Sequence, residues 1–295
     1  MSATAAPTER GRPERSHPGL DLLRKALRHG LVVGGGSIVL LLGFVAAFGA
    51  ALAPYDPLAM DFTARFAPPS FAHPFGTDDF GRDLFSRVLH GAAVSFQVAF
   101  IAVGISGVVG VALGVLAGYL GGWVDEAIMR VMDVVFAFPA VLLAITVMAV
   151  LGRGVENAMI AIAIVYMPIF ARVTRGAVIS VRDREFVTAA RALGTGHARI
   201  MLAHVLPNAA GPILVQTSLS LAFAILAEAA LSFFGLGTQP PDPSWGRMLA
   251  EGRAFLGQAP WMGIFPGLAI MAAVLGFNLL GDGLRDVLDP RWRRR

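Results

Sequence analysis

The feature that most constrains this chain is a stretch of 24 residues, Gly30 to Ala53, without one ionisable side chain. At a helical rise of about 1.5 Å per residue such a stretch crosses a hydrocarbon core of about 30 Å. No water reaches the backbone there, so the segment must satisfy its own N–H and C=O groups, and a helix does so. The run follows a long polar segment and exceeds the apolar region of a secretory signal, so it is expected to remain as an anchor. Further apolar runs occupy 92–120, 131–152, 155–171, 211–234 and 261–280, the fourth of the six being the shortest. The expected fold is therefore all-α: a polytopic membrane protein with six transmembrane helices. Charged residues make up 15% of the chain, against roughly 25% in a soluble domain, which agrees.

The runs divide the chain. Residues 1–29 read as a disordered, basic tail, and 30–53 as the first span. Residues 54–91 form an external loop, 92–281 a core of five spans carrying a polar loop at 172–210, and 282–295 a basic C-terminus. An even number of spans leaves both termini on one side. Of the 24 Lys and Arg residues, 18 lie in the tail, the 121–130 connection, the 172–210 loop and the C-terminus. The other six, Arg65, Arg82, Arg87, Arg153, Arg247 and Arg253, fall on the opposite side. Positive charge marks the cytoplasmic side, so both termini and the 172–210 loop are expected there. This placement explains the basic excess better than nucleic-acid binding does.

Local patterns refine the picture. In the external loop, Thr77 is placed to cap a helix with Asp78 and Asp79 in its first turn. Phe80, Leu84 and Val88 recur every fourth residue, predicting an amphipathic helix along the membrane surface with Arg82, Asp83, Ser86 and Arg87 solvated. Gly104, Gly107, Gly110 and Gly114 predict close approach of another helix, and Pro139 predicts a kink in the third span. Pro240 to Gly246 reads as an outer re-entrant or surface turn.

Between Arg182 and Pro207 the polar loop predicts two short helices. Glu185 to Leu193 are mostly good helix formers, with Phe186 and Leu193 available for burial. Gly194-Thr195-Gly196 supplies a break, and Ala198 to Leu206 resumes until Pro207. Gly194 fits the left-handed position that ends a helix.

Several chemistries are excluded. Cysteine is absent, which removes disulfides and thiolate sites. The single lysine, Lys25, is not preceded by the glycines of a phosphate-binding loop, so no cofactor is expected on this chain. The six histidines form no zinc-hydrolase motif and none lies in a span. Gly104-Ile105-Ser106-Gly107 resembles the serine motif of intramembrane proteases but lacks an intramembrane histidine to take the serine proton. Glu228 is the acid well inside a span. It reads either as a gate contact or as a helix end pinned by backbone amides or Arg, and a buried charge there needs a partner or a proton. A proton- or sodium-coupled carrier would show more such acids and repeated halves. A channel or carrier working without nucleotide stays the competing class.

Thr188-Ala189-Ala190, then Gly194, then His204-Val205-Leu206-Pro207 resembles the cytoplasmic loop of ABC-importer permeases, with Thr188 at the usual Glu and His204 at the usual Ile. The stretches 73–92, 136–145, 227–249 and 281–293 resemble, in family order, the second permease subunit of dipeptide and oligopeptide uptake systems, whose relatives also carry nickel complexes or glutathione. The resemblance implies the type I permease fold, residence in a bacterial inner membrane, and a heterodimer with a second permease. It further implies two cytoplasmic ATPase domains that bind ATP and Mg, and an external substrate-binding protein. Glu185, Phe186, Thr188, Ala189, Ala190, Leu193, Gly194, Leu206 and Pro207 are implied as the ATPase-coupling residues.

Overall fold

A computed structural model describes residues 24–288; of the expected disordered tail at 1–29, residues 24–29 are described and begin with a helical turn at 24–26, while 1–23 and the last part of the basic C-terminus, 289–295, lie outside the described residues. Within them the chain is helical, and the one extended pairing is a single bridge between Thr77 and Asp83. Helix α1 is Gly30–Leu52, α2 Leu84–Leu120, α3 Gly122–Phe136, α4 Ala140–Leu151, α5 Val155–Arg182 and α6 Glu185–Ala192. Helix α7 runs His197–Phe233 with a π-helical stretch at Ile200–Val205; α8 is Trp245–Gly252 and α9 Trp261–Leu288. Five of these are long and apolar enough to cross a membrane, six if the bent pair α3–α4 counts as one span.

The central element is α2, whose 37 residues extend about 55 Å. It lies against α5 at backbone distance. A Cβ at Gly110 would stand 2.7 Å from the Met167 carbonyl oxygen, at Gly114 2.5 Å from that of Ala171, and at Gly118 2.9 Å from that of Arg175. Both partners thus present one residue every fourth position, the row that meets along two crossing helices. The expected close-approach patch is displaced by a turn: Gly104 has nothing within 4 Å, and Gly107 makes only ordinary contact with Phe170. Helix α1 docks on α9 where Gly35 meets the Gly276 and Leu280 backbone, and its Leu40, Leu41, Phe44 and Phe48 face outward.

Four boundaries differ from the sequence reading. The third span is not one kinked helix: α3 and α4 meet at 91°. Pro139 has no N–H to continue the ladder and disfavours helical backbone at the residue before it, so the chain turns and restarts at Ala140. Helix α5 extends eleven residues past the expected end at Ala171, because Arg172 bonds Asp133 (2.6 Å) and Arg175 bonds Asp125 (2.5 and 2.6 Å), both on α3. Pro207 does not stop a helix. It sits in the first α-helical turn after the π-helical stretch, where a proline lacking N–H is tolerated. Helix α9 runs on to Leu288 rather than ending at 280.

The amphipathic surface helix is also corrected. Gly76 and Gly81 take positive φ (76° and 74°), and the Asp78 carboxylate accepts from the Phe80 and Arg82 amides, making a turn. Thr77 does not cap; its hydroxyl donates to the Ala64 carbonyl and accepts from the Ala67 amide. The N-cap is Asp83, which accepts from the Ser86 amide, so Leu84 starts the long span directly. Arg82, Asp83, Ser86 and Arg87 are buried, not solvated. Arg82 donates to Asp78 (2.6 Å), Arg87 to Glu251 (3.0 Å), and Arg247 to the other oxygen of Glu251 (3.0 Å), which ties the head of α2 to α8. The 240–246 turn is outermost only at Pro240 to Asp242; Ser244 and Trp245 are buried, and the indole N–H of Trp245 donates to the Val88 carbonyl.

The glycine row generates a contrast that thermal melting in detergent can measure. Gly114→Leu is expected to lower stability by at least the roughly 1–3 kcal/mol of core overpacking, because the space it would need is filled by α5 backbone. Gly104→Leu is expected to melt with the parent protein.

Candidate functional site

The elbow between α5 and α7 is built by a helix stop. Gly194 adopts φ 76°, its amide bonds the Arg191 carbonyl (3.0 Å), and the Thr195 amide bonds the Ala190 carbonyl (3.1 Å). Those two bonds are the Schellman arrangement, in which a left-handed residue satisfies carbonyls that a helix end leaves orphaned. Helix α6 therefore ends abruptly and the chain reverses into α7.

Which face of α6 is buried differs from the sequence reading. Val187 and Ala190, three residues apart, pack with Val115 and Tyr119 of α2, Val178 and Val181 of α5, and Ile200, Val205 and Ala209 of α7. Phe186 and Leu193, expected to be buried, are 39% and 85% exposed. They are seven residues apart and share one stripe with the exposed Ala189. Glu185, Thr188 and Gly194 are exposed on the same short elbow. Of the remaining candidates, Leu206 packs against the buried cluster beneath, and Pro207 stands exposed on α7 beyond the elbow. Val187 was missed, although its spacing from Ala190 and its β-branched bulk would have found it.

Glu228 lies on α7, 1% exposed. Its carboxylate accepts from Ser95 of α2 (3.0 Å) and from Ser232 one turn along α7 (2.7 Å). Ser232 in turn accepts from the Thr238 amide (3.0 Å). Among the described residues neither a backbone amide nor an Arg bonds the carboxylate, which one reading had expected; hydroxyls from two helices do. The arrangement fastens three things at one point: α2, α7 and the segment that leads to α8.

The bundle, its elbow and its order of elements can be set beside known proteins. Residues 110–294 match the family described as binding-protein-dependent transport system inner membrane component. Residues 18–69 match the N-terminal TM domain of oligopeptide transport permease C. The chain belongs to this family of transport permeases. It is 52% identical over 229 residues to a dipeptide transport system permease protein of Alkalihalophilus pseudofirmus, covering 78% of this chain and 75% of that protein. It is 46% identical over 265 residues to a di/tripeptide transport system permease protein of Pseudomonas aeruginosa, covering 88% of each. A glutathione transport system permease protein of Pectobacterium atrosepticum is 44% identical over 275 residues, covering 93% and 91%. In three dimensions the chain resembles a chain of the inward-facing MetNI methionine ABC transporter (TM-score 0.56, 17% identity, 68% of this chain and 96% of that one), which shows the fold. The protein is thus a multi-pass inner-membrane permease subunit of an ABC importer, with the all-α type I architecture.

The Glu228 site yields a ranked expectation. Glu228→Leu leaves the Ser95 and Ser232 hydroxyls without their acceptor, at on the order of 1–3 kcal/mol for each buried group left unpaired. Glu228→Gln keeps one carbonyl acceptor. In detergent melting the Leu variant is expected to unfold well below the Gln variant; equal melting temperatures would show that the hydroxyl bonds contribute nothing.

Proposed function

We propose that this chain is the second, C-type permease of a heterodimeric importer for di- or oligopeptides, driven by ATP hydrolysis in partner subunits. Two cytoplasmic ATPase domains bind ATP and Mg, an external binding protein delivers the solute, and this chain with its partner permease forms the path through the bilayer. Both termini and the α6 elbow lie in the cytoplasm, as the distribution of Arg residues indicates. The observation that carries the coupling role is the stripe of Phe186, Ala189 and Leu193. Two large apolar side chains stand out from a helix that is otherwise anchored by a fully formed cap. Exposed apolar side chains at a rigid knob fit a groove on another protein better than they fit water. Glu185 and Thr188 flank the stripe; Thr188 is uncharged and cannot supply the ion pair that a Glu could make there.

Peptide is the solute class because a dipeptide-type relative reaches 52% identity, against 46% for a glutathione-type one. Glutathione, itself a tripeptide, is the second reading, favoured by a relative that covers 93% of the chain; nickel complexes belong to the same group of alternatives. Competition of unlabelled dipeptide, glutathione and nickel against radiolabelled dipeptide in cells expressing the whole system separates them.

Gly194→Val tests the coupling role. A β-branched residue at φ 76° is strained, of order 1–3 kcal/mol, and nothing crowds the site to complicate the reading. The variant is expected to reach the membrane in normal amount, to lose ATPase co-purification and to lose uptake. Unimpaired uptake would defeat the assignment of the elbow.

A further inference from the structure

Helices α5 and α7 are joined covalently to the elbow, so they follow any movement of α6. Helix α2 is not; its chain leaves at Gly121 toward α3. Yet α2 carries the outer fastenings, Ser95 to Glu228 and Arg87 to Glu251. The glycine row holds it against α5, and a contact of its last turn with the elbow itself is what would carry the elbow's own displacement to it.

The last turn of α2 supplies this. Tyr119 is 6% exposed and sits in the apolar cluster beneath α6. Its hydroxyl is 3.0 Å from Nδ1 of His197, the first residue of α7. Its ring carries the Arg191 guanidinium of α6, 5.3 Å from the centroid, a distance at which a cation is attracted to the ring face. Arg191 and His197 stand on opposite sides of the Gly194 reversal, so one phenol holds both arms of the elbow. Beside it, Arg182 at the end of α5 donates to the Gly118 carbonyl (2.7 Å), using an acceptor that the end of α2 leaves free.

We propose that Tyr119 is the positioning residue that fastens α2 to the elbow, so that displacement of α6 by the ATPase domains is carried along α2 to the outer end of the bundle. The proposal rests on the coupling role given above and goes beyond it. Tyr119 acts through His197 and Arg191. Both of its polar contacts are made to the elbow and none to the apolar cluster around it, which a residue serving only to fill space would not require.

The test uses the complete transporter, both permeases with the ATPase subunits and binding protein, reconstituted in vesicles. Solute moved per ATP hydrolysed is measured for the parent, Tyr119→Phe, His197→Ala, the double variant and Tyr119→Leu. Tyr119→Leu removes ring and hydroxyl and is expected to lower the ratio about tenfold, within the usual range of coupling between linked sites. Tyr119→Phe keeps the ring and the Arg191 contact, and is expected to lower it less. His197→Ala is expected to match Tyr119→Phe, and the double variant to be no worse than either, because all three remove the same bond. Additive effects of Tyr119→Phe and His197→Ala, or an unchanged ratio in Tyr119→Phe, would overturn the proposal. The Phe and Ala variants keep that test decisive even if Tyr119→Leu fails to assemble. A parent complex without ATPase subunits would instead refute the coupling role of the elbow, a separate result.

Discussion

The whole bundle depends on two helices touching through their backbones. Inside a bilayer, lipid is as apolar as leucine, so burying apolar side chains against each other gains little, and contact surface between helices has to come from shape. Gly110, Gly114 and Gly118 give α2 that shape by removing every side chain from the strip that faces Met167, Ala171 and Arg175 of α5. The pair formed this way is longer than the hydrocarbon core. One end of α2 therefore emerges among the charged residues of the loop that precedes it and the other beneath the elbow.

Polar chemistry is placed accordingly at the ends. At the end next to α8, Asp78 and Glu251 serve Arg82, Arg87 and Arg247, and the Arg87 side chain is 1% exposed. A buried pair of this kind gives little net stability when complete, and removing one partner is costly because the other charge stays buried. Such a cluster fixes where α2 and α8 meet more than how firmly the protein folds. Within the span the single acid, Glu228, is served by hydroxyls, which need no compensating charge. At the inner end the contacts are again polar and directional, from Arg182, Arg191 and His197.

Much of this was legible in the letters. Uncharged length locates the spans, and a glycine after the helix-forming run Glu185 to Leu193 locates the stop that shapes the elbow. What escaped the sequence depends on partners far along the chain. Helix α5 continues beyond its apolar run because Asp125 and Asp133 of α3 receive its arginines, and no local pattern announces that. The loop before α2 offers two cap candidates, Thr77 and Asp83; Thr77 is taken by the Ala64 carbonyl, a contact thirteen residues away. In α6 and its C-cap residue, nine residues hold two candidate apolar faces, Phe186 with Leu193 and Val187 with Ala190. The bundle buries the second, smaller pair, leaving the larger side chains free to meet another protein.

The central claim is that this stripe faces the cytoplasm and is covered by a partner. Because the natural chain has no cysteine, one placed at Leu193 is a unique label site. With a membrane-impermeant maleimide, Leu193→Cys is expected to react in inside-out vesicles but not in intact cells, and to be protected when the ATPase subunits are bound. Reaction from the outside of intact cells would contradict the account, since no cytoplasmic engine could then touch the elbow.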